Sequence, residues 1–230
     1  MSADRVPRTA VDATVMFLGE DIVEGVHRAG DRLTEASIVA RYDVSRSTAR
    51  AAIQVLVARG LLTAPSGHQP ARVTALTDDD AISLYRIRNS VEPALIHRFA
   101  LRAAPAQIAA LDRAMRAFED TARRMDDLRR IHRARDGFYE VLYDGAGSAA
   151  LEQTVRAEYA RLGAFRRDRL SYAQELARIR VNAASVRRVV PRILQRECSA
   201  AGVFSNRMLS EDTAATLRLL DRTDRSAAHV

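Results

Sequence analysis

Arg46, Ser47, Thr48 and Arg50 place two guanidinium groups and two hydroxyls within five consecutive positions. Guanidinium forks grip phosphate oxygens or the O6/N7 edge of guanine, and hydroxyls bond phosphates or base edges. The chemistry on offer is recognition of a polyanion that carries readable edges. It requires one element that presents all four groups at an exposed end. Ser45 supplies the start of that element, because its hydroxyl can accept a hydrogen bond from a free backbone N–H of the next turn. Ala49, Ala52, Ile53, Leu56 and Val57 then recur at spacings of three and four, the pattern of a helix with one buried face. Gly60 ends it, as a residue that tolerates a left-handed backbone.

The preceding residues supply the rest of a helix-turn-helix over Leu33 to Leu62. Ile38, Val39 and Tyr42 give a short apolar face, and Asp43 and Val44 make the turn. A recognition helix contacts DNA through its N-terminal residues, so Ser45, Arg46, Ser47, Thr48 and Arg50 are the expected contacts. An earlier helix is predicted from Thr9 to about His27, with Val11, Val15, Leu18, Ile22, Val23 and Val26 near one face; residues 1–9, polar with Pro7, are expected to fray. After Gly60, two short β segments flank a Gly/Pro turn. This hairpin is expected to be a wing whose tip, Ser66, Gly67 and His68, lies against phosphate or in the minor groove. Residues 1–76 are thus expected to form a winged helix-turn-helix domain.

From Thr77 only helical patterns follow, over about 78–102, 105–125, 127–144, 148–169, 172–190, 192–209 and 211–222. Pro191 either kinks a long helix or starts a new one, so the count is six or seven. The expected fold class is mainly α: the winged helix with its small β wing, then an all-α bundle over 77–230. The 230 residues are 47 % hydrophobic and 28 % charged, ordinary for a globular chain. No run of 18 apolar residues predicts a membrane span, and the first 15 residues lack the apolar core of a signal peptide. The one cysteine, Cys198, cannot form an internal disulfide and is expected to be a small buried residue. A cytoplasmic location fits. Every basic residue is Arg, and the net charge is +7. Residues 1–76 carry +1 and residues 77–230 carry +6, so the larger half also offers positive charge, to an anionic ligand for instance.

Catalytic patterns are missing: there is no HExxH, CxxC, Gly-rich nucleotide loop or nucleophile–base set. The pairs Glu119/Asp120 and Asp126/Asp127 read as solvated charge at helix ends. His132 and Asp136 stand at i and i+4, but two ligands are too few to hold a transition metal, and a surface pair is the expected reading.

The words Gly25…Gly30-Asp31-Arg32-Leu33-Thr34-Glu35, Val44-Ser45-Arg46-Ser47-Thr48-Ala49-Arg50-Ala51-Ala52-Ile53 and Leu56…Gly60-Leu61 resemble the GntR family of bacterial transcription regulators. Departures fall at Ala29, Thr48 and Ala51. On this resemblance Glu35 joins the DNA-contacting set. Residues 84–103, with Arg88 and Glu92, resemble the first effector-domain helix of the FadR subfamily. Phe138 to Tyr143, followed by Gly145 to Ser148, resembles a second segment of that domain. Many members hold a metal there through an Asp and three His. Arg135 and Tyr139 occupy two of those places, and no histidine lies between His132 and His229 to supply the rest. The resemblance therefore implies a metal-free site.

The function these expectations describe is a DNA-binding repressor, not an enzyme. It would bind a palindromic operator as a homodimer and answer to a small anionic metabolite, such as a carboxylate. Arg135 and Tyr139, at i and i+4, with Arg88 as a second cation, would grip that anion in place of the metal. The opposing reading is that the pocket has decayed, with Arg135 at the surface and Tyr139 in the core. Two other functions stay open: an all-helical enzyme, and a helical adaptor whose winged helix binds protein.

Overall fold

Side-chain caps set the first helices. The computed structural model of this chain describes residues 9–64, 66, 69–124 and 127–227. Helix α1 (Ala10–Val23) starts at Thr9, whose hydroxyl accepts from the Asp12 N–H. Helix α2 (Glu35–Tyr42) starts at Thr34 with a reciprocal box in which Thr34 and Ser37 each accept from the other's N–H. It ends at Asp43, which takes a left-handed φ of 51°; a short polar side chain tolerates that region. Helix α3 (Arg46–Ala58) starts at Ser45, which accepts the Thr48 N–H at 3.1 Å, and is followed by Gly60 at φ 69°. Both ends of the expected helix-turn-helix lie where the sequence puts them.

Three short strands complete this part: β1 (Arg32–Leu33), β2 (Leu62–Thr63) and β3 (Ala71–Val73), antiparallel in the order β1-β3-β2. Arg32 pairs with Arg72, and Leu62 with Val73. The β2–β3 hairpin is the expected wing. Strand β1 was not foreseen, because two residues carry no alternation and only pairing makes them a strand. Ser66 and Gln69 bridge near the tip; Gly67 and His68 lie outside the described residues. Leu18, Ile22, Ile38, Ala52, Leu56, Leu62 and Val73 form the core here. Val57, expected in the core, is only partly buried and lines its edge.

Six helices follow among the described residues: α4 (Asp78–Arg102), α5 (Pro105–Arg124), α6 (Leu128–Ala146), α7 (Ala149–Arg169), α8 (Tyr172–Leu194) and α9 (Cys198–Ala227). Pro191 sits inside α8. The break comes five residues later, where Arg196 turns left-handed at φ 56°. Of the two readings of Pro191, the helix that continues through it is the one observed, and the expected break at 209/211 is corrected. Ser210 does not cap a new helix; its hydroxyl donates to the Asn206 carbonyl one turn back, inside α9. Cys198 opens α9 and is partly exposed, not buried.

The chain divides into two compact units, residues 9–84 with Arg156–Arg169, and Tyr85–Val155 with residues 170–227. Thr77 caps α4 by accepting the Asp80 N–H, so the composition change at 77 marks a helix start. The first unit extends to Leu84 and takes in the second half of α7. Ala160 and Ala164 pack against its core, and the Arg161 side chain comes within 3.1 Å of where a Cβ on Gly60 would sit.

Two glycines in α6 make opposite demands. A Cβ on Gly145 would lie 2.3 and 2.5 Å from ring carbons of Phe99, which is fully buried on α4. A Cβ on Gly137 meets nothing within 4 Å. Gly145→Ala is expected to destabilise by about 1–3 kcal/mol, the cost of overpacking. Gly137→Ala should stabilise by roughly 0.5–1 kcal/mol, since glycine is a poor interior helix residue. Urea midpoints check both; shifts of the same sign would contradict the packing described.

Candidate nucleic-acid interface

The N-terminus of α3 is an open, hydroxyl-rich edge. Ser45, Arg46, Ser47 and Arg50 are exposed and Thr48 is partly so. Ser45 Oγ lies 2.8 Å from Ser47 Oγ and 2.9 Å from Thr48 Oγ1. The capping hydroxyl thus gathers its two neighbours while holding the helix end. Arg50 is not loose: its Nε donates to Glu35 Oε1 at 2.7 Å and its Nη2 to Glu35 Oε2 at 3.2 Å. The hydrogen bond from Arg50 holds the Glu35 carboxyl below its ordinary range. Glu35, Arg50, Gln54, Ile53, Val57 and Ala64 line a groove of about 450 Å³ beside the recognition helix. Ser66, at the described part of the wing tip, is exposed. Behind this face, Tyr42 and Arg41 both donate to Asp21 Oδ2, at 2.7 and 2.8 Å, tying α2 to α1. Burial, aided by that hydrogen bond, pushes the Tyr42 phenol up to about 12.

In the second unit, Arg88, Arg135 and Tyr139 are all buried. Arg88 Nε donates to Glu92 Oε2 at 3.0 Å, and Tyr139 donates to the other oxygen, Oε1, at 2.5 Å. Arg88 also donates to Asp212 of α9 at 3.0 Å. Asp212 in turn lies 3.5 Å from Arg178 of α8, which makes a two-point contact with Glu175 at 2.8 Å. Two guanidinium groups here meet three carboxylates, so net charge does not make this cluster an anion trap. Arg135 faces inward with Tyr139 rather than bulk water, and pairs with the exposed Asp136 at 2.9 Å. His132 is not the expected surface partner of Asp136. It is largely buried, 3.7 Å from Glu175, and burial lowers its pKa below 6.5.

Sequence reasoning missed Asp212, Arg178 and Glu175. Asp212 is 124 residues from Arg88 and 34 from Arg178, separations that no local spacing marks, whereas Glu175 and Arg178 stand at i and i+3 in one helix and read in sequence as an ordinary surface pair. Among the described residues, no group of three or more His, Cys, Asp or Glu side chains is placed to hold a metal ion. The side chains that the resemblance puts in a metal's place do not fit one either: Arg135 offers a guanidinium, and the Tyr139 hydroxyl donates to Glu92.

Residues 13–68 match the family described as bacterial regulatory proteins, gntR family, and residues 83–211 match the FCD domain. An HTH-type transcriptional regulator of Paraburkholderia xenovorans (strain LB400), BphR, described as uncharacterized, is 36 % identical over 85 residues. That match takes in 37 % of this chain and 34 % of the relative, so the chain spans about a third of the curated relative's length. The solved structure of E. coli McbR/YncC shares the fold, with a TM-score of 0.74 at 15 % identity over 91 % of this chain and 98 % of that one. A transcriptional regulator GntR from Rhodococcus sp. RHA1 gives a TM-score of 0.61 at 25 % identity, covering 90 % and 97 %.

Removing one partner from a buried ion pair leaves an uncompensated charge, at a cost of about 3–5 kcal/mol. Arg88→Met is therefore expected to destabilise by that order. Double replacement with Glu92→Gln should recover part of the loss, because one orphaned carboxylate is then neutral. Chemical denaturation of the single and double variants measures this. A double variant less stable than either single one would show that Arg88 and Glu92 do not act as a pair.

Proposed function

Because this chain belongs to the gntR family of bacterial regulatory proteins, with an FCD domain over residues 83–211, we propose that it is a DNA-binding transcription regulator and not an enzyme. The observation that carries the reading is the capped, exposed end of α3, where Arg46, Ser47 and Arg50 stand free of the core and a wing hairpin follows. A helix in the major groove reads with its first residues, and one winged helix reads few base pairs, so a two-fold homodimer on a palindromic operator is required. A dimer seated on an operator excludes other proteins from it, the physical basis of repression. No described helix is long and apolar enough to cross a membrane, which agrees with a cytoplasmic site of action.

Control is assigned to the helical unit. Helices α4 and α7 each contribute residues to both compact units, so a ligand that shifts either one acts on both. Coupling of this kind is typically about 1–3 kcal/mol. The proposed effector is a small carboxylate and the proposed site is metal-free. Arg135 is its anchor: a ligand carboxylate can replace the exposed Asp136 on the guanidinium. Arg88 and Tyr139, joined through Glu92, form the buried frame behind it.

Arg46→Ala and Arg50→Ala should each weaken binding to a selected palindromic duplex by on the order of tenfold or more, since a two-point guanine contact discriminates by about 1–3 kcal/mol. Gel shifts at fixed salt measure this, and wild-type affinity in both variants would remove α3 as the reading element. Thermal-shift screening of short mono- and dicarboxylates should yield a stabilising ligand whose effect is lost in Arg135→Ala, while elemental analysis finds no stoichiometric Zn, Ni or Mn. A carboxylate effect retained in Arg135→Ala, or one equivalent of metal, would overturn the anchor assignment or the metal-free site respectively.

A further inference from the structure

We propose that Glu35 is a positioning residue for base readout: it holds Arg50 by one edge so that the other edge of the guanidinium meets a guanine in each half-site. The proposal rests on the DNA-binding reading above and assigns a division of labour within it. A guanidinium has five N–H donors on a rigid plane. Glu35 takes the Nε and Nη2 edge, at 2.7 and 3.2 Å. The end edge, formed by Nη1 and the second Nη2 hydrogen, remains. That edge presents two parallel donors, the geometry that suits O6 and N7 of guanine. The Arg50 side chain is 67 % exposed, so the end edge is open to an incoming duplex.

Glu35 itself is fixed in place. It is the first residue of α2, directly after the cap Thr34 and inside the Thr34–Ser37 box that locks the helix start. The positive end of the helix dipole favours a carboxylate there. Around the pair, Ile53, Val57, Ala58 and Ala64 supply apolar walls to the groove, so of its lining residues only Gln54 offers Arg50 a second polar side chain. The stalk of Arg50 thus has few rival partners and one strong one.

A carboxylate on a face that meets a polyanion needs a reason. Like charge weakens affinity for every sequence, and an exposed ion pair adds little stability. Stability therefore does not explain Glu35, whereas selectivity does. An untethered arginine can swing to the nearest phosphate, a contact that carries no sequence information. Glu35 disfavours that swing twice, by holding the fork and by repelling the phosphate. Among the described residues, Arg46 has no such two-point carboxylate partner, which leaves it free to serve the backbone. In this proposal Glu35 acts through Arg50, whereas the family resemblance places it among the direct DNA contacts.

The test is binding-site selection from randomised duplexes using the full chain as wild type, Glu35→Ala, Glu35→Gln, Arg50→Ala and the Glu35→Ala/Arg50→Ala double variant. The wild type should enrich a guanine that Arg50→Ala loses. Glu35→Ala should lose preference at that same position by on the order of tenfold, keep its other preferences, and bind unselected DNA at least as tightly as wild type. Glu35→Gln, which retains one acceptor oxygen, should fall between. The double variant should match Arg50→Ala. A guanine preference intact in Glu35→Ala, an equal loss at all positions, or a double variant poorer in selectivity than Arg50→Ala would each overturn the proposal, the last by showing that Glu35 reads DNA itself. A wild type that enriches no sequence, with binding indifferent to salt, would overturn the DNA-binding reading and this proposal with it.

Discussion

Glu92 is the constraint on which the helical unit depends. It is 1 % exposed, and a carboxylate so buried must be paired or lose its charge. Arg88 satisfies one oxygen from the same helix, one turn back, and Tyr139 the other from α6. Arg88 then reaches Asp212 on α9, and Asp212 leads to Arg178 and Glu175 on α8. Four helices are thereby registered by one chain of charged contacts. Such clusters are weak evidence for stability, because desolvation offsets most of the attraction. Their geometric consequence is firmer: no helix in the set can slide without stranding a charge.

That frame joins the helices around Tyr139 through side chains alone. A tyrosine hydroxyl meets a carboxylate, and a guanidinium crosses to α9. Arg178 is held above its ordinary range by Glu175 and Asp212, against the opposing effect of burial. The interior is ionic yet nearly balanced, and Arg135 differs from Arg88 and Arg178 in pairing with a carboxylate, Asp136, that is 59 % exposed. In the other unit the polar interactions lie at the surface instead: caps, hydroxyls and one two-point ion pair set the shape of the reading face.

The winged helix was legible because its signals are local. Ser45, Gly60 and the spacing Ala49, Ala52, Ile53, Leu56 fix a helix without reference to distant residues, and the glycine/proline turn fixes the hairpin. Local signals failed where long-range pairing decides. Strand β1 exists only through β3, and the break after α8 is made by Arg196, a residue with no left-handed preference to announce it. Pro191 left the helix count open, since a helix can accept proline when neighbours hold it. Arg88, Arg135 and Tyr139 stand out through the family resemblance, with Arg135 and Tyr139 on one face by their i and i+4 spacing, and sequence leaves open whether that face points inward. Their partners were hidden, because an arginine that pairs with Asp212 looks in sequence like any other of the 36.

The central claim is that two copies of the α3 N-terminus enter the major groove of one duplex. Dimethyl sulfate footprinting of the wild-type chain on a selected duplex tests it directly, because the reagent reports guanine N7 in the major groove. The account predicts two protected guanine clusters related by two-fold symmetry, with centres about 10–10.5 base pairs apart or a multiple of that. Protection confined to a single cluster, or binding that leaves every N7 reactive, would contradict it.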